Sequence, residues 1–481
     1  MTLCFPTTGV NVGPWRRMKH RMTAPIAFPL DQPELSFIAS GDALVRRTVL
    51  PSGVRILTER VPGSRSVTLG YWVAVGSRDE FPAEAAHDGH QAHPASLGST
   101  HFLEHLLFKG TPSRTAFEIA TAFDSVGGEH NAMTAKEYTC YYAKVRDKDL
   151  TMAVEVMSDM LTSSIIDPEE FETERDVILE ELAMAEDDPG DVAQERFFEA
   201  VLGEHALGRP IGGSPETIRG ATREAVFAHY RANYRPNDLV ISAAGCVDHD
   251  DLVVLVSKTL EQAGWDLSAI AVPVSRRDRT RAVITQGNPL TVVERPIEQA
   301  NIMLGVPGIT ASDDRRIVQS VLNSILGGGM SSRLFQEIRE KRGLAYSVFS
   351  FASSYSDAGV FGLYAGSSPS KAVDVAELML AEFEKIATSG VTKDELIRAQ
   401  GQLAGASALA LEDTDTRMSR LGRSEISLGE FTDYDAFLTL LDKVSVEDVK
   451  ALAAELRTGD LSLVSVGKAN VEALGALVKR G

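Results

Sequence analysis

The chain contains a weak internal repeat with a period of about 220 residues, and this repeat restricts the folds that it can adopt. The segment Asp238–Gly245, an apolar strand that ends at a glycine, matches Asp460–Gly467. In the same register, Thr100–Gly110 matches Gln319–Gly329. Each copy shows a pattern of strands, then helices, then a final strand and helix, which suits helices packed on an antiparallel sheet. The sequence therefore predicts an α+β fold of two homologous domains.

Length and composition support this division, because 481 residues exceed what one hydrophobic core usually holds. We expect residues 1–44 to form a disordered or processed extension, because the first thirty residues contain several prolines and no acidic residue. Residues 45–267 are predicted to form the first domain and residues 289–481 the second. Residues 268–288, which combine Pro273 and Gly287 with four arginines, are predicted to form an exposed linker.

The first copy of the repeat carries His101 and His105 four residues apart, with Glu104 between them. On a helix these three side chains share one face. The rest of the segment is apolar, so the polar groups would lie against hydrophobic surface and need partners there. The order His-x-x-Glu-His is the inverted zincin pattern and predicts a zinc site.

The second copy lacks this pattern. At the positions that correspond to the two histidines and the glutamate it has Ser320, Asn323 and Ser324. No histidine follows His249, so the second copy cannot rebuild the site. The sequence therefore predicts one metal site in a duplicated fold.

A catalytic zinc ion needs a third protein ligand and one open position. An acidic run that includes Glu174 and Glu181 predicts a helix that begins at Asp167-Pro168. Glu174 and Glu181 lie two turns apart on one face, whereas Glu180 is rotated by about 100° and is expected to face solvent. Spacing leaves Glu174 and Glu181 as alternative ligands.

Four stretches of the chain resemble the insulinase/pitrilysin/mitochondrial processing peptidase family in its two-domain form. They are Ser99–Thr111, Gly127–Ala132, Glu174–Glu181 and Ser331–Ser347. The resemblance implies that the two domains face each other across a peptide chamber, with the first domain catalytic and the second completing the active site. It also implies one Zn²⁺ per chain, held by His101, His105 and Glu181.

The resemblance assigns roles to further residues. Glu104 would be the general base that takes a proton from water, and Glu174 would support the site from outside the ligand set. Arg339 and Tyr346, from the second copy, would contact the substrate and the transition state. Arg342 is a less favoured alternative to Arg339, because it does not align with the arginine position of the family.

Four residues are expected to bind substrate. Asn131 and Ala132 match the family's substrate-facing strand edge, where an extended peptide can add as an extra strand. Asp191 and Glu195 match positions at which processing peptidases recognise a basic residue near the cut; the alternative interpretation is a solvated acidic surface.

The predicted function is that of a zinc-dependent endopeptidase acting on peptides or unfolded protein segments. The alternative is a non-catalytic or partner-dependent subunit of a processing peptidase complex.

One segment, residues 81–96, departs from the family pattern. It is longer than the usual connection and contains His87, His90 and His93. We interpret it as an exposed insert beside the cleft, with a loose second metal site as the alternative.

Charge and composition argue against several classes of protein. A net charge of −19 argues against nucleic-acid binding, and no apolar run approaches the length that spans a membrane. Three widely spaced cysteines make neither a disulfide framework nor a metal site and suit a reducing compartment. We expect a cytoplasmic location, or alternatively the mitochondrial matrix. We also expect a homodimer or a heterodimer with a related chain.

Overall fold

The structure, a computed structural model, describes residues 23–81 and 96–479. The three histidines of the expected insert, His87, His90 and His93, lie outside the described residues, as do residues 1–22. The described residues form two similar halves, each a sheet covered by helices.

The two halves are joined by an extended connection. The strands of the first half are β1 (Ile26–Ala27), β2 (Glu34–Ala39), β3 (Ala43–Val49), β4 (Arg55–Arg60), β5 (Ser66–Val73), β6 (Glu129–Thr134), β7 (Thr139–Arg146) and β8 (Leu239–Gly245). Its helices are α1 (Ser99–Leu106), α2 (Ala116–Asp124), α3 (Leu150–Ser163), α4 (Pro168–Asp187), α5 (Pro189–Leu202), α6 (Pro215–Gly220), α7 (Arg223–Asn233) and α8 (His249–Gln262). The strands of the second half are β9 (Leu290–Val293), β10 (Ala300–Pro307), β11 (Ala345–Ser354), β12 (Gly359–Ser367), β13 (Glu430–Phe431) and β14 (Ser462–Val466). Its helices are α9 (Arg316–Gly327), α10 (Ala372–Ser389), α11 (Lys393–Ala410), α12 (Thr414–Arg423), α13 (Tyr434–Leu441), α14 (Val446–Leu456) and α15 (Val471–Val478).

The two main sheets share one topology. The first has the strand order β2-β3-β4-β8-β5-β7-β6, and the second has the order β9-β14-β10-β12-β11. Each contains one parallel pair, β4 with β8 and β9 with β14, and is otherwise antiparallel. The last five strands of the first sheet therefore correspond one by one to the strands of the second, and β8 and β14 are the strands matched in the sequence repeat. This confirms the predicted α+β fold of two homologous domains.

The expected disorder up to residue 44 is wrong for residues 26–44. Strand β2 pairs with β3 and forms the outer edge of the first sheet, while β1 pairs with β13 of the second half. Leu35 and Phe37, at alternate positions of β2, pack against a buried cluster that includes Phe28 and Phe431. The alternation of apolar residues outweighs the proline-rich composition that suggested disorder.

One helix of each half packs against the sheet of the other half. Helix α5 packs on β10 and β14 of the second sheet, where Phe197 and Val201 share a buried cluster with Met303. Helix α12 packs on β5 and β8 of the first sheet, where Leu421 lies in a cluster with Trp72. The opposite face of each sheet is covered by helices of its own half. Because both faces are covered, β8 and β14 are buried along their whole length.

The connection between the halves, residues 263–289, contains no helix or strand but is held at two arginines. Arg276 donates to the carboxylate of Glu425 (3.0 Å), and Arg277 donates to Asp79 (2.7 Å). Glu425 is fully buried and also accepts from Arg47 (3.1 Å). A buried ion cluster thus joins the first sheet, the linker and the second half.

Among the helices within the described residues, none has both the length and the apolar character that crossing a membrane requires.

Candidate active site

Helices α1 and α4 bring two histidines and a glutamate together. His101 Nε2 lies 3.7 Å from Glu181 Oε2, and His105 Nε2 lies 3.5 Å from the same oxygen. Helix α4 begins as the sequence predicts, with the Asp167 side chain accepting hydrogen bonds from the first-turn amides and Pro168 as its first residue. These three side chains form the one group of histidine, cysteine and acidic residues in the described part of the chain that could hold a metal ion.

The geometry of this group fits zinc. Zinc–ligand bonds of about 2.0–2.2 Å in a tetrahedron place neighbouring ligand atoms about 3.4 Å apart, close to the distances between Glu181 and the two imidazoles. Burial and the neighbouring His105 lower the pKa of His101, which favours the neutral imidazole that metal binding requires. The Glu181 side chain is 53% exposed, so one side of the group is open. Two imidazoles, one carboxylate and an open side are the donor set of a catalytic zinc site.

Glu174 lies behind the ligands. Its side chain is 4% exposed, and its Oε2 lies 3.0 Å from Nδ1 of His105 while Oε1 lies 2.5 Å from Nζ of Lys109. Burial alone would raise the pKa of Glu174, but the hydrogen bonds with His105 and Lys109 outweigh it and lower the pKa. Glu181, not Glu174, therefore faces the Nε2 atoms of both histidines, and Glu180 is exposed as expected.

His105 has a raised pKa. Burial acts to lower it, but the hydrogen bond with Glu174 and the charge of Glu181 have the larger combined effect. The Glu174 carboxylate therefore fixes the ring orientation, because the proton on Nδ1 points to it and Nε2 is left towards Glu181.

Glu104 lies at the boundary between α1 and the edge strand β6. Its Oε2 accepts a hydrogen bond from Oγ1 of Thr134, the last residue of β6. Burial raises the pKa of Glu104, which makes the carboxylate a stronger base than a solvent-exposed one. The arrangement holds a basic carboxylate beside the two histidines.

Strand β6 forms the edge of the first sheet that lies opposite to β2, and it contains Asn131 and Ala132. The Ala132 amide donates to Oδ1 of Asn131 (2.8 Å), and Asn131 is exposed. His130, on the same strand, stacks on Phe123 with the ring centroids 4.4 Å apart and is not part of the metal-binding group.

A cavity of about 1100 Å³ lies between the two halves, beside the metal-binding group. Thr134 and Gly212 line it, and a Cβ added to Gly212 would lie 3.9 Å from Nδ1 of His101. The far wall includes Phe351 of β11. The cavity is slightly larger than the roughly 300–1,000 Å³ that is typical of small-molecule sites.

Glu195 of α5 is part of the cavity wall, whereas Asp191 is exposed in the first turn of that helix and does not line it. Glu195 is exposed to solvent, but the protein atoms around it remove part of its hydration and raise its pKa. Of the two acidic residues predicted to bind substrate, the structure thus places one in the cavity.

Arg339 and Tyr346 lie close to each other. The Arg339 guanidinium carbon is 4.6 Å from the Tyr346 ring centroid and 4.7 Å from that of Phe335, within a π-helical turn, Phe335–Glu340. Tyr346 is 78% exposed. Within the described part of the chain, neither residue lines the cavity, and the ion pair of Arg339 is with the adjacent Glu340. Arg342 is held instead by Glu337, through its carboxylate and backbone carbonyl.

Sequence reasoning missed two residues of the site. Lys109 lies one turn after His105, so helical spacing could have indicated its position near Glu174. Thr134 gave no local signal, because its contact with Glu104 depends on how β6 packs against α1.

Two sequence models of protein families match the chain. Residues 55–214 match the model described as insulinase (peptidase family M16), and residues 220–403 match the model described as the peptidase M16 inactive domain.

Relatives with similar sequences carry the name "uncharacterized zinc protease". One, from Streptomyces coelicolor, is 47% identical and the match covers 89% of this chain and 90% of the relative. Another, from Mycobacterium tuberculosis, is 44% identical, with 85% of this chain and 90% of the relative covered. A third, from Bacillus subtilis, is 36% identical, with 88% and 98% covered.

Solved structures share the fold. A protease from Helicobacter pylori superposes with a TM-score of 0.77 at 21% identity, covering 90% of this chain and 100% of that chain. A peptidase M16 inactive domain from Pseudomonas fluorescens gives a TM-score of 0.76 at 20% identity, covering 89% and 99%.

Proposed function

Because this chain belongs to the insulinase family, peptidase family M16, we propose that it is a zinc-dependent endopeptidase that hydrolyses peptides or unfolded protein segments. The observation that carries the proposal is the complete set on α1 and α4: His101, His105 and Glu181 at zinc-ligand spacing, with Glu104 beside them. A non-catalytic member of such a family would have no need to keep all four residues in this geometry. The relatives named zinc proteases support the choice of metal.

When bound, zinc supplies Lewis acidity towards water and towards the scissile carbonyl group. Glu104 takes the proton of the attacking water and later gives it to the departing amine. Its raised pKa suits both transfers, because a stronger base accepts the proton more readily near neutral pH. Thr134 holds the carboxylate in place throughout.

Substrate binding is proposed to use the free edge of β6. An extended peptide that pairs with this strand would lie along Asn131 and Ala132, directly beside Thr134 and hence beside Glu104. Backbone pairing of this kind selects extended chains and favours unfolded segments over folded ones.

The remaining roles are proposed on the family resemblance. Arg339 and Tyr346 would contact the substrate and the developing oxyanion. Glu195, in the cavity wall, and Asp191, in the first turn of the same helix, would favour a basic side chain near the cut.

The test is the Glu104→Gln variant of the full-length protein. We expect it to retain one zinc ion per chain and to lose at least about 100-fold of the wild-type rate of cleavage of an unstructured basic peptide, because the proton acceptor is removed while the ligands stay. Zinc content by elemental analysis and cleavage by mass spectrometry are the measurements.

Glu180→Gln is the matched control, because it removes an exposed carboxylate from the ligand helix without touching the site. It should cleave as the wild type does. Equal cleavage by Glu104→Gln and the wild type would refute the proposed mechanism. Zinc binding without any cleavage by the wild type alone would favour the partner-dependent subunit. The expected homodimer or heterodimer stays a prediction, which the mass of the purified particle tests.

A further inference from the structure

The metal-binding helix α1 has an unusual beginning. The residue before its first turn is Gly98, with φ at 90°, which has no side chain that could cap the helix. The amides at the start of a helix have no partners within it and need acceptors from elsewhere. Here the acceptor is the carboxylate of Glu80, whose Oε2 accepts from the Gly98 amide (2.7 Å) and whose Oε1 accepts from the Thr100 amide (2.6 Å).

The carboxylate is a tertiary contact, not a local cap. Glu80 precedes residues 82–95 and Gly98 follows them, so the bonds join two parts of the chain on either side of that segment. Glu80 is only 1% exposed, so loss of one of its acceptor oxygens leaves a buried backbone amide without a partner, which is costly. A carboxylate that accepts backbone amides at a helix start also interacts favourably with the helix dipole.

Glu80 and Thr100 are themselves held in place by further hydrogen bonds. The backbone carbonyl of Glu80 accepts from Nη1 of Arg209 (2.8 Å), and the preceding residue, Asp79, is bonded to Arg277 of the linker. On the helix side, Oγ1 of Thr100 lies 3.2 Å from Nε2 of His229. Thr100 is therefore fixed through both its main chain and its side chain.

Thr100 is followed directly by His101, and α1 has only eight residues. A helix this short is marginal by itself and takes its position from tertiary contacts. The whole set of His101, Glu104 and His105 lies within seven residues of Gly98, so a shift or rotation at the start of the helix displaces all three together. Their distances to Glu181, on another helix, would change.

We propose that Glu80 is a positioning residue whose carboxylate fixes the start of α1 and thereby orients His101 and His105 towards Glu181. The inference rests on the proposed zinc site and goes beyond it, because the hydrogen bonds of the Glu80 carboxylate are with Gly98 and Thr100 and not with a proposed metal ligand.

The variant Glu80→Gln tests this role. An amide keeps one oxygen and replaces the other with an NH₂ group, which cannot accept from a backbone amide, so one of the two bonds is lost and two donors face each other. We expect zinc affinity to fall by about 10–100-fold, as it does when groups that orient metal ligands are removed. We also expect the visible absorption of the Co²⁺-substituted protein to shift, because that spectrum reports ligand geometry.

The comparison uses full-length protein stripped of metal, titrated with zinc against a chromophoric chelator and separately with Co²⁺. Glu80→Asp keeps both oxygens on a shorter side chain and should recover part of the affinity. Asp433→Asn is the matched control: Asp433 is a buried carboxylate that accepts from the Ser40 amide (3.1 Å), and its hydrogen bonds are with Ser40 and not with α1. It should lower stability and leave zinc affinity and the Co²⁺ spectrum unchanged.

A Glu80→Gln variant with the zinc affinity and Co²⁺ spectrum of the wild type would overturn this inference but not the proposed function. An equal loss of zinc affinity in Glu80→Gln and Asp433→Asn would do the same. If Glu80→Gln does not fold, Glu80→Asp decides the question: a folded variant with weaker zinc binding and a shifted spectrum supports the role, and wild-type values overturn it. A wild-type protein that binds no zinc would overturn the proposed function and this inference together.

Discussion

At the scale of single residues, the site depends on carboxylates with distinct tasks. Glu181 faces the two histidines, Glu104 is held by a threonine beside them, and Glu174 orients His105 from behind. Glu174 is bound on its other oxygen by Lys109, so it cannot rotate away from the imidazole without breaking an ion pair. The helix α4 supplies both Glu174 and Glu181 because seven residues bring them to the same face.

The role of Glu174 is testable through metal affinity. Glu174→Gln should weaken zinc binding by about 10–100-fold, because the amide can no longer accept from both His105 and Lys109 and the ring orientation is lost. Competition with a chromophoric chelator measures the change. Glu180→Gln on the same helix should bind zinc as the wild type does, and equal affinities of the two variants would show that Glu174 has no orienting role.

At the scale of secondary-structure elements, the notable arrangement is that α5 and α12 each cover the sheet of the opposite half. The contact of α12 with the first sheet is close: a Cβ added to Gly422 would lie 2.1 Å from Cε2 of Trp72. The indole nitrogen of Trp72 donates to Oγ of Ser242 on β8 (2.8 Å), so the ring cannot turn aside freely. Only a glycine lets α12 approach the sheet this closely.

Gly422→Ala should therefore destabilise the protein by about 1–3 kcal/mol or more, through overpacking at a fixed aromatic ring. Urea unfolding followed by tryptophan fluorescence measures the loss. Gly401→Ala is the matched control, since it also lies in a helix, α11, and an added Cβ meets nothing within 4 Å. That substitution should be neutral or stabilise by up to about 1 kcal/mol, and a destabilisation as large as that of Gly422→Ala would contradict the packing argument.

At the scale of the whole molecule, the two halves are joined through buried charge as well as apolar surface. Glu59, fully buried in the first sheet, is bonded to Arg417 and Arg420 of the second half. Arg78 donates to Asp357 across the opposite side of the interface (2.9 Å). Separation of the halves would break all of these ion pairs and would expose to water the apolar surfaces that α5 and α12 cover.

Cleavage of the linker should consequently leave one particle. Ile270 is 92% exposed, so a protease site inserted after it is accessible. We expect the cut protein to elute as the uncut 52.0 kDa chain does and to keep its zinc, and the two fragments to separate only in denaturant. Residues 1–270 produced alone should aggregate, because α5 and one face of the first sheet lose their cover. Fragments that separate in native buffer would contradict this account.

Much of the site was predictable from local spacing. The helix starting at Asp167-Pro168, the shared face of Glu174 and Glu181 and the outward position of Glu180 all follow from helical geometry. The choice of Glu181 as a ligand needed the family resemblance, because a periodicity of two turns cannot tell which end of a helix meets a partner helix.

The contacts that join distant segments were not predictable. An apolar face on α5 indicates burial but does not tell which sheet it covers, so the exchange of helices was missed. Glu80 and Thr134 act across gaps in sequence that no periodicity spans. The ordered strands within residues 26–44 were not predicted, because the proline-rich composition suggests disorder while the alternation of Leu35 and Phe37 indicates a strand.

The exchange of α5 and α12 has a consequence for how such a chain tolerates change. Equivalent helices crossing to equivalent sheets is the contact that a two-fold axis produces, so the single chain has the geometry of a symmetric dimer whose subunits are fused end to end. The contacts that hold the pseudo-dimer together involve neither histidine of α1. Ser320, Asn323 and Ser324 at the corresponding positions of the second copy are therefore compatible with the same assembly. The packing is therefore present in both copies, while the residues that could hold a metal ion are present in one.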